Sequence, residues 1–136
     1  MAFQVSQTFL NLPVKDLKRS IAFFEALGFA FNPQFTDDNA ACLILSDTAF
    51  AMLLTESFFR TFVKKDIADA TKTTEFIMAV SVGSREEVQE LVRKALASGG
   101  SASNEPQDHG FMYTESFQDP DGHQWEVFFM DPSHVQ

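Results

Sequence analysis

Cysteine occurs only once in this chain, as Cys42, so no intrachain disulfide can staple the fold and a reducing compartment is expected. Long apolar runs are also missing. Stretches such as residues 49–54 fall far short of the roughly 20 residues that a membrane-spanning helix needs, so no membrane partner is expected. Basic residues are scarce: ten Lys and Arg stand against nineteen Asp and Glu, for a net charge of -9. Nucleic acid phosphates would be approached against that repulsive field, which argues against nucleic acid as a partner. Residues 1–7 carry neither the basic start nor the apolar stretch of a secretory signal, and the expected address is the cytoplasm. Polar aromatics are few as well. One Tyr and one Trp accompany sixteen Phe, and Phe has no polar handle, so a dry, Phe-rich core is expected, with some rings available to line a pocket.

What is present is the composition of a globular protein. The 136 residues are 45% hydrophobic and 21% charged, enough for one domain with a substantial core. Residues 16–27 read as an amphipathic helix, with Leu17, Ile21 and Phe24 at helical spacing, Asp16 as N-cap and Gly28 just beyond the end. A second helix opens on a capping box, Ser84 with Glu87. It continues through Val88, Leu91, Val92, Ala95 and Leu96, and stops at Gly99 and Gly100. A strand-like stretch precedes each helix, at residues 3–14 and 74–82. Three more follow each: 30–36, 40–46 and 50–55 after the first, then 101–104, 110–117 and 124–130 after the second. Turn residues separate them, most clearly in Asp119-Pro-Asp-Gly122. The order strand, helix, strand, strand, strand is therefore met twice. Module 1 covers residues 1–56, module 2 covers 74–136, and residues 57–73 connect them within a single domain. That connector is locally basic (Arg60, Lys64, Lys65, Lys72) and carries Phe58, Phe59 and Phe62 on a short helical pattern, read as a linker packed onto the domain.

Two stretches carry a resemblance. Residues 11–29, Asn-Leu-Pro-Val-Lys-Asp-Leu through Leu-Gly-Phe, resemble the strand-to-helix opening of the vicinal oxygen chelate superfamily, and residues 119–127, Asp-Pro-Asp-Gly-His-Gln-Trp-Glu-Val, resemble its closing hairpin and last strand. With the doubled module order, the resemblance spans nearly the whole chain. The superfamily includes glyoxalase I, extradiol dioxygenases, fosfomycin-resistance enzymes and bleomycin-binding proteins, and the chain is similar to small bacterial proteins called predicted lactoylglutathione lyases. The resemblance implies an α+β fold of two βαβββ modules, whose curved mixed sheets surround one cavity under outer helices. It also implies a small-molecule ligand and a homodimer that completes the cavity across its interface. The scaffold alone does not choose among lyase, oxygenase and binder.

Metal-dependent members gather four ligands, from the first and last strands of each module. Carried onto this chain, those positions are Phe9, Leu53, Ile77 and Glu126, and only Glu126 has a lone pair to offer a divalent ion. Gln7 and Glu75 share strand faces with Phe9 and Ile77, but a two-residue slip displaces a donor by about 7 Å. No cofactor is expected, with a divalent metal held partly by Glu126 as the alternative. The resemblance further places Asn11, Met112, Thr114, Ser116 and Phe128 toward the ligand, beside Phe9, Leu53 and Ile77. Two hydroxyls and a thioether on alternate positions of one strand could orient a small molecule. The opposite parity, Phe111, Tyr113, Glu115 and Phe117, stays open. Trp125, Val127 and Phe129 are expected under a helix, with Glu126, Phe128 and Met130 on the other side.

Other candidates carry less. His123 belongs to a turn, His109 to a loop and His134 to the tail, without metal-ligand spacing; Cys42 lies in an apolar run and reads as an inert buried thiol. Three functions follow. The first is a metal-free protein that binds a small aromatic or amphipathic molecule in an apolar cavity, the single carboxylate suiting a cationic one. The second is a metal-dependent lyase or extradiol dioxygenase. The third is a metal-free isomerase or lyase in which Glu126, desolvated among apolar side chains, acts as general base.

Overall fold

A computed structural model describes residues 2–134, His134 by its backbone alone, so its side chain lies outside the described residues. The chain forms two compact units, one ending at Ala68 and the other beginning at Asp69. Both combine α-helix with a mixed sheet; the first runs in the βαβββ order, and the second repeats it with the strand after its helix broken into two short pieces.

In the first unit, β1 (Thr8–Val14) leads into α1 (Leu17–Ala26), then β2 (Ala30–Asn32), β3 (Ala40–Ile44), β4 (Ala49–Thr55) and a short α2 (Glu56–Arg60). The sheet order is β1-β4-β3-β2, with β1 parallel to β4 and the other pairs antiparallel. Asp16 caps α1 as expected, its carboxylate accepting the Arg19 amide at 3.1 Å. Gly28 ends the helix with φ of 104°, a left-handed conformation that favours glycine. Strand alternation sorts the sheet into two faces. Leu12, Leu53, Ala51, Leu43 and Ala41 fall on one, and all are fully buried. Helix α1 contacts β3 and β4, adding the buried Phe23 and Phe24 to this core. Residues 3–7, expected to extend the first strand, lie outside it. The strand after α1 stops at Asn32, where the Asn32 side chain accepts the Gln34 amide and Pro33 starts a 3-10 turn.

The second unit runs β5 (Ile77–Ser81), α3 (Arg85–Ala97), β6 (Ser101–Ala102), β7 (Gln107–Asp108), β8 (Met112–Gln118) and β9 (Gln124–Met130). Its sheet has the order β5-β9-β8-β6, with β7 also pairing β8. Strand β5 is parallel to β9, and the remaining pairs are antiparallel. The capping box forms: the Ser84 hydroxyl accepts the Glu87 amide at 3.1 Å, while the Glu87 carboxylate reaches back to the Gly83 amide at 2.6 Å. Val88, Val92 and Ala95 are the buried stripe of α3, which contacts β8 and β9 over Phe117, Trp125 and Val127. Leu96, expected in that stripe, is exposed.

The turn at 119–123 is organised by a buried carboxylate. Asp119 accepts the Asp121 and His123 amides at 3.0 Å each and the Trp125 indole N–H at 3.1 Å. Burial pushes its pKa up, against the opposing pull of His123 and of these N–H donors.

The expectation of a Phe-rich core needs correction. Phe23, Phe24 and Phe117 are buried, but Phe3, Phe9, Phe35, Phe62 and Phe111 are exposed and the other rings are half-buried. The core is largely aliphatic, because α1 and α3 cover one face of each sheet and much of the Phe content lies elsewhere. The connector also divides: residues 57–68 stay with the first unit and 69–73 with the second. Helix α2 contacts β1 and β4, whereas Phe62 just beyond it is 66% exposed.

Candidate functional site

Residue pairing settles which candidates share a face. In the second unit, Glu126 lies beside Ala79 on β5 and Ser116 on β8, and Phe128 beside Ser81 and Thr114. Met130 pairs with Met112, and Gln124 with Ile77 and Gln118. Alternation therefore puts Ile77, Met112, Thr114, Ser116, Glu126, Phe128 and Met130 on one face of this sheet, away from Trp125, Val127 and Phe117 under α3. Of the two parities open for β8, Met112, Thr114 and Ser116 take the side opposite α3. Tyr113 and Glu115 turn to the helix side, where the Tyr113 hydroxyl donates to the Glu115 carboxylate and the Arg85 guanidinium lies 5.1 Å from the Tyr113 ring centre.

Glu126 is the charged centre of that face. It is half-buried, and it makes no hydrogen bond or ion pair with any described residue. Its apolar neighbours are accessible: Ile77 is 53% exposed and Met130 also faces outward, with Met112, Thr114 and Phe128 half-buried. Ser116 behaves differently from Thr114. Its hydroxyl accepts the Asn104 amide at 2.8 Å and donates to the Asn104 carbonyl at 3.4 Å. That hydroxyl, read from the sequence as a ligand-orienting group, is thus committed to the chain itself.

A bulge explains the commitment. Ala102 pairs with Phe117 and Gln107 with Thr114, so four residues, 103–106, span the gap opposite two, Glu115 and Ser116. Pro106 has no N–H to give the ladder. The surplus chain is tied at Ser116 through Asn104, and the Ser103 hydroxyl donates to the Gln124 side chain at 2.8 Å. A single strand at 101–104 does not anticipate this interruption.

The first unit has its own open face. Phe9 pairs with Phe50 and Asn11 with Met52. The Phe9 and Phe50 rings stack at 4.9 Å, and Phe9 is 46% exposed. Leu53 is the correction here. It pairs with Leu12, has 0% exposure, and faces the α1 side, one residue out of phase with Phe9 and Asn11. A one-residue step reverses side-chain direction, so Met52, not Leu53, shares the face of Asn11. Sequence motif points to Leu53 rather than to Met52 or Phe50, because motif matching does not fix strand register.

The donor set does not fit a chelated divalent ion. Phe9 and Ile77 offer only hydrocarbon at two of the four carried-over positions, Leu53 points into the core, and Met52, which takes the face of Asn11, offers only a weakly donating thioether. Among the described residues no three His, Cys, Asp or Glu side chains gather as a metal would require. His123 is a buried turn residue with its ring stacked on Phe76 at 6.1 Å, and the exposed His109 ring lies 3.3 Å from the Gln107 side chain.

Comparison with known proteins bears on this geometry. The profile described as Glyoxalase/Bleomycin resistance protein/Dioxygenase superfamily matches residues 6–127. A hypothetical protein SA1046 from S. aureus has 28% identity and a TM-score of 0.77, with 95% of each chain covered. A glyoxalase-related enzyme from Fulvimarina pelagi has 23% identity and a TM-score of 0.76, covering 93% of this chain and 87% of its own. The fosfomycin resistance protein FosX from Listeria monocytogenes has 20% identity and a TM-score of 0.64, covering 95% and 92%. The last two likenesses concern the fold. No curated protein matches the chain.

Proposed function

Because the chain belongs to the Glyoxalase/Bleomycin resistance protein/Dioxygenase superfamily, we propose that it binds a small aromatic or amphipathic molecule against the open face of its second sheet, without the family's full metal site. One observation carries the reading: Glu126 stands half-buried, with no partner among the described residues, beside Ile77, Met112, Thr114 and Phe128. An unpaired carboxylate on a largely apolar surface loses hydration and gains from a donor or cation that a ligand brings. The apolar side chains supply area, and Thr114 a hydroxyl with no partner among the described residues.

The same observation supports a second reading, in which Glu126 is a general base for a metal-free isomerisation or lyase step on a bound carbonyl compound. In that reading Glu126 has one act, accepting a proton from the molecule on that face. Metal-dependent lyase or dioxygenase chemistry would need donors that Phe9, Leu53 and Ile77 do not have. The homodimer and the cytoplasmic address belong to the same proposal; the lone buried Cys42 thiol suits a reducing compartment.

A thermal-shift screen with cationic aromatic compounds tests the binding reading, and concentration-dependent stabilisation is expected. Glu126→Gln should weaken that stabilisation in a pure binder. In the enzyme reading the same variant abolishes turnover and keeps affinity. If no compound stabilises the protein and Glu126→Gln alters neither binding nor turnover, both readings fall.

A further inference from the structure

Polarity changes along the open face of the second sheet, strand row by strand row. Gln124 and Gln118 share one row, Glu126 and Ser116 the next, Phe128 and Thr114 the third, Met130 and Met112 the last. The amide and carboxylate end is also the end closed by the 103–106 bulge. Ser103 and Asn104 are tied there to Gln124 and Ser116, which retain only 8% and 6% exposure. The thioether end is accessible, with Met130 at 38% exposure. Ile77 adds apolar surface beside Gln124 at the β5 edge.

We infer that this face takes an elongated amphiphile in one direction, with its cationic head at Glu126 against the Ser103–Asn104 wall and its apolar tail along Phe128 toward Met112 and Met130. This rests on the reading of that face as the ligand site, and adds the ligand's polarity, direction and reach. Three features carry it. Glu126 is the charged side chain on these rows and has no partner among the described residues. Gln124 and Ser116 are already bonded to the bulge, so neither competes for the head. Asn104 has its backbone fixed by Ser116, the residue that pairs with Glu126, while its side-chain amide has no partner among the described residues. From Glu126 to Met130 is four residues of strand, about 14 Å, which sets the reach of the tail. Unbranched, polarizable Met side chains adapt to a flexible apolar chain without a fixed shape.

The test uses the full chain with methyl-13C methionine, the resonances being assigned through Met112→Leu and Met130→Leu, and with Met52 of the other unit as reference. The probes are ethylammonium, n-octylammonium and n-octyl sulfate, each below its aggregation concentration. Octylammonium should shift the Met112 and Met130 methyl signals, ethylammonium should leave them in place, and octylammonium should bind at least tenfold tighter than octyl sulfate. In Glu126→Gln that preference should vanish while octylammonium still shifts both methyls. The variant separates the local carboxylate from the acidic protein as a whole, since it removes only one of the nineteen acidic residues. A preference that persists in Glu126→Gln overturns the inference, as does equal binding of the two heads to the wild type. Equal binding that shifts Met112 and Met130 leaves the ligand face standing and removes only the direction. If neither octyl compound moves these methyls, the ligand face itself is lost.

Discussion

Gly122 and Gly28 both adopt the left-handed backbone region, at φ of 90° and 104°, yet they face different surroundings. A Cβ on Gly28 would meet nothing within 4 Å, whereas one on Gly122 would lie 2.8 Å from the Ala70 carbonyl oxygen and 2.9 Å from its carbon. The first position demands glycine for its dihedral alone, the second for its dihedral and for close passage of the 69–73 backbone. Gly28→Ala should therefore cost about 1 kcal/mol. Gly122→Ala should cost about 2–3 kcal/mol, since strain and a backbone clash add. Urea unfolding of the two variants checks the ranking, and an equal loss would show that the Ala70 contact is unimportant. The same scale explains Ser116: its neighbours in sequence suggest a ligand contact, while its hydroxyl is spent on Asn104.

At the scale of elements, the short strand β7 has only two residues on β8, too little to hold it alone. A side-chain clamp adds to it. Arg85, at the start of α3, donates to both Asp108 oxygens at 2.8 and 3.0 Å and to the Gly110 carbonyl at 3.3 Å. The guanidinium hydrogen bonds, followed by the Gly110 amide, hold the Asp108 carboxyl down to about 2 from an ordinary 3.8. A lowered carboxylate pKa contributes stability above the ordinary value, and that contribution is lost as pH falls from about 4 through about 2. Both partners are solvent-accessible, so the effect is modest and weakens with salt. Arg85→Gln should raise amide exchange across residues 107–113. It should also reduce the fall in melting temperature between pH 4 and pH 2 relative to wild type; equal falls would dissociate Asp108 from the acid response.

For the molecule as a whole, each unit covers one sheet face with a helix and leaves β1 or β5 as an edge strand. Exposed Phe9 and Ile77 lie on those two strands. Unpaired edges carrying apolar side chains are sites for association, in keeping with the proposed homodimer. Sedimentation should give twice the 15.2 kDa chain mass, and elemental analysis of the same sample should find less than one divalent ion per chain. A stoichiometric ion ligated by Glu126 and at least two further protein donors would instead restore the metal-dependent lyase or dioxygenase reading.

The amino-acid sequence by itself determined the two long helices and most of the strands, in their order, because capping residues, helical apolar spacing and turn residues act over a few positions. Asp16 with Leu17, Ser84 with Glu87, and the Asp119–Gly122 turn were legible for that reason, and so was the family. Glu126 as the lone donor among the four carried-over positions follows from residue type alone. Strand register required the tertiary structure, since pairing depends on partners far along the chain and a shift of one residue turns a side chain to the other face. That placed Leu53 in the core and Met52 beside Asn11, turned Met112, Thr114 and Ser116 to the side opposite α3 with Tyr113 and Glu115 on the helix side, and folded residues 103–106 onto Ser116 and Gln124. The burial of phenylalanine was likewise decided there, because composition counts rings but does not say which sheet face a helix will cover.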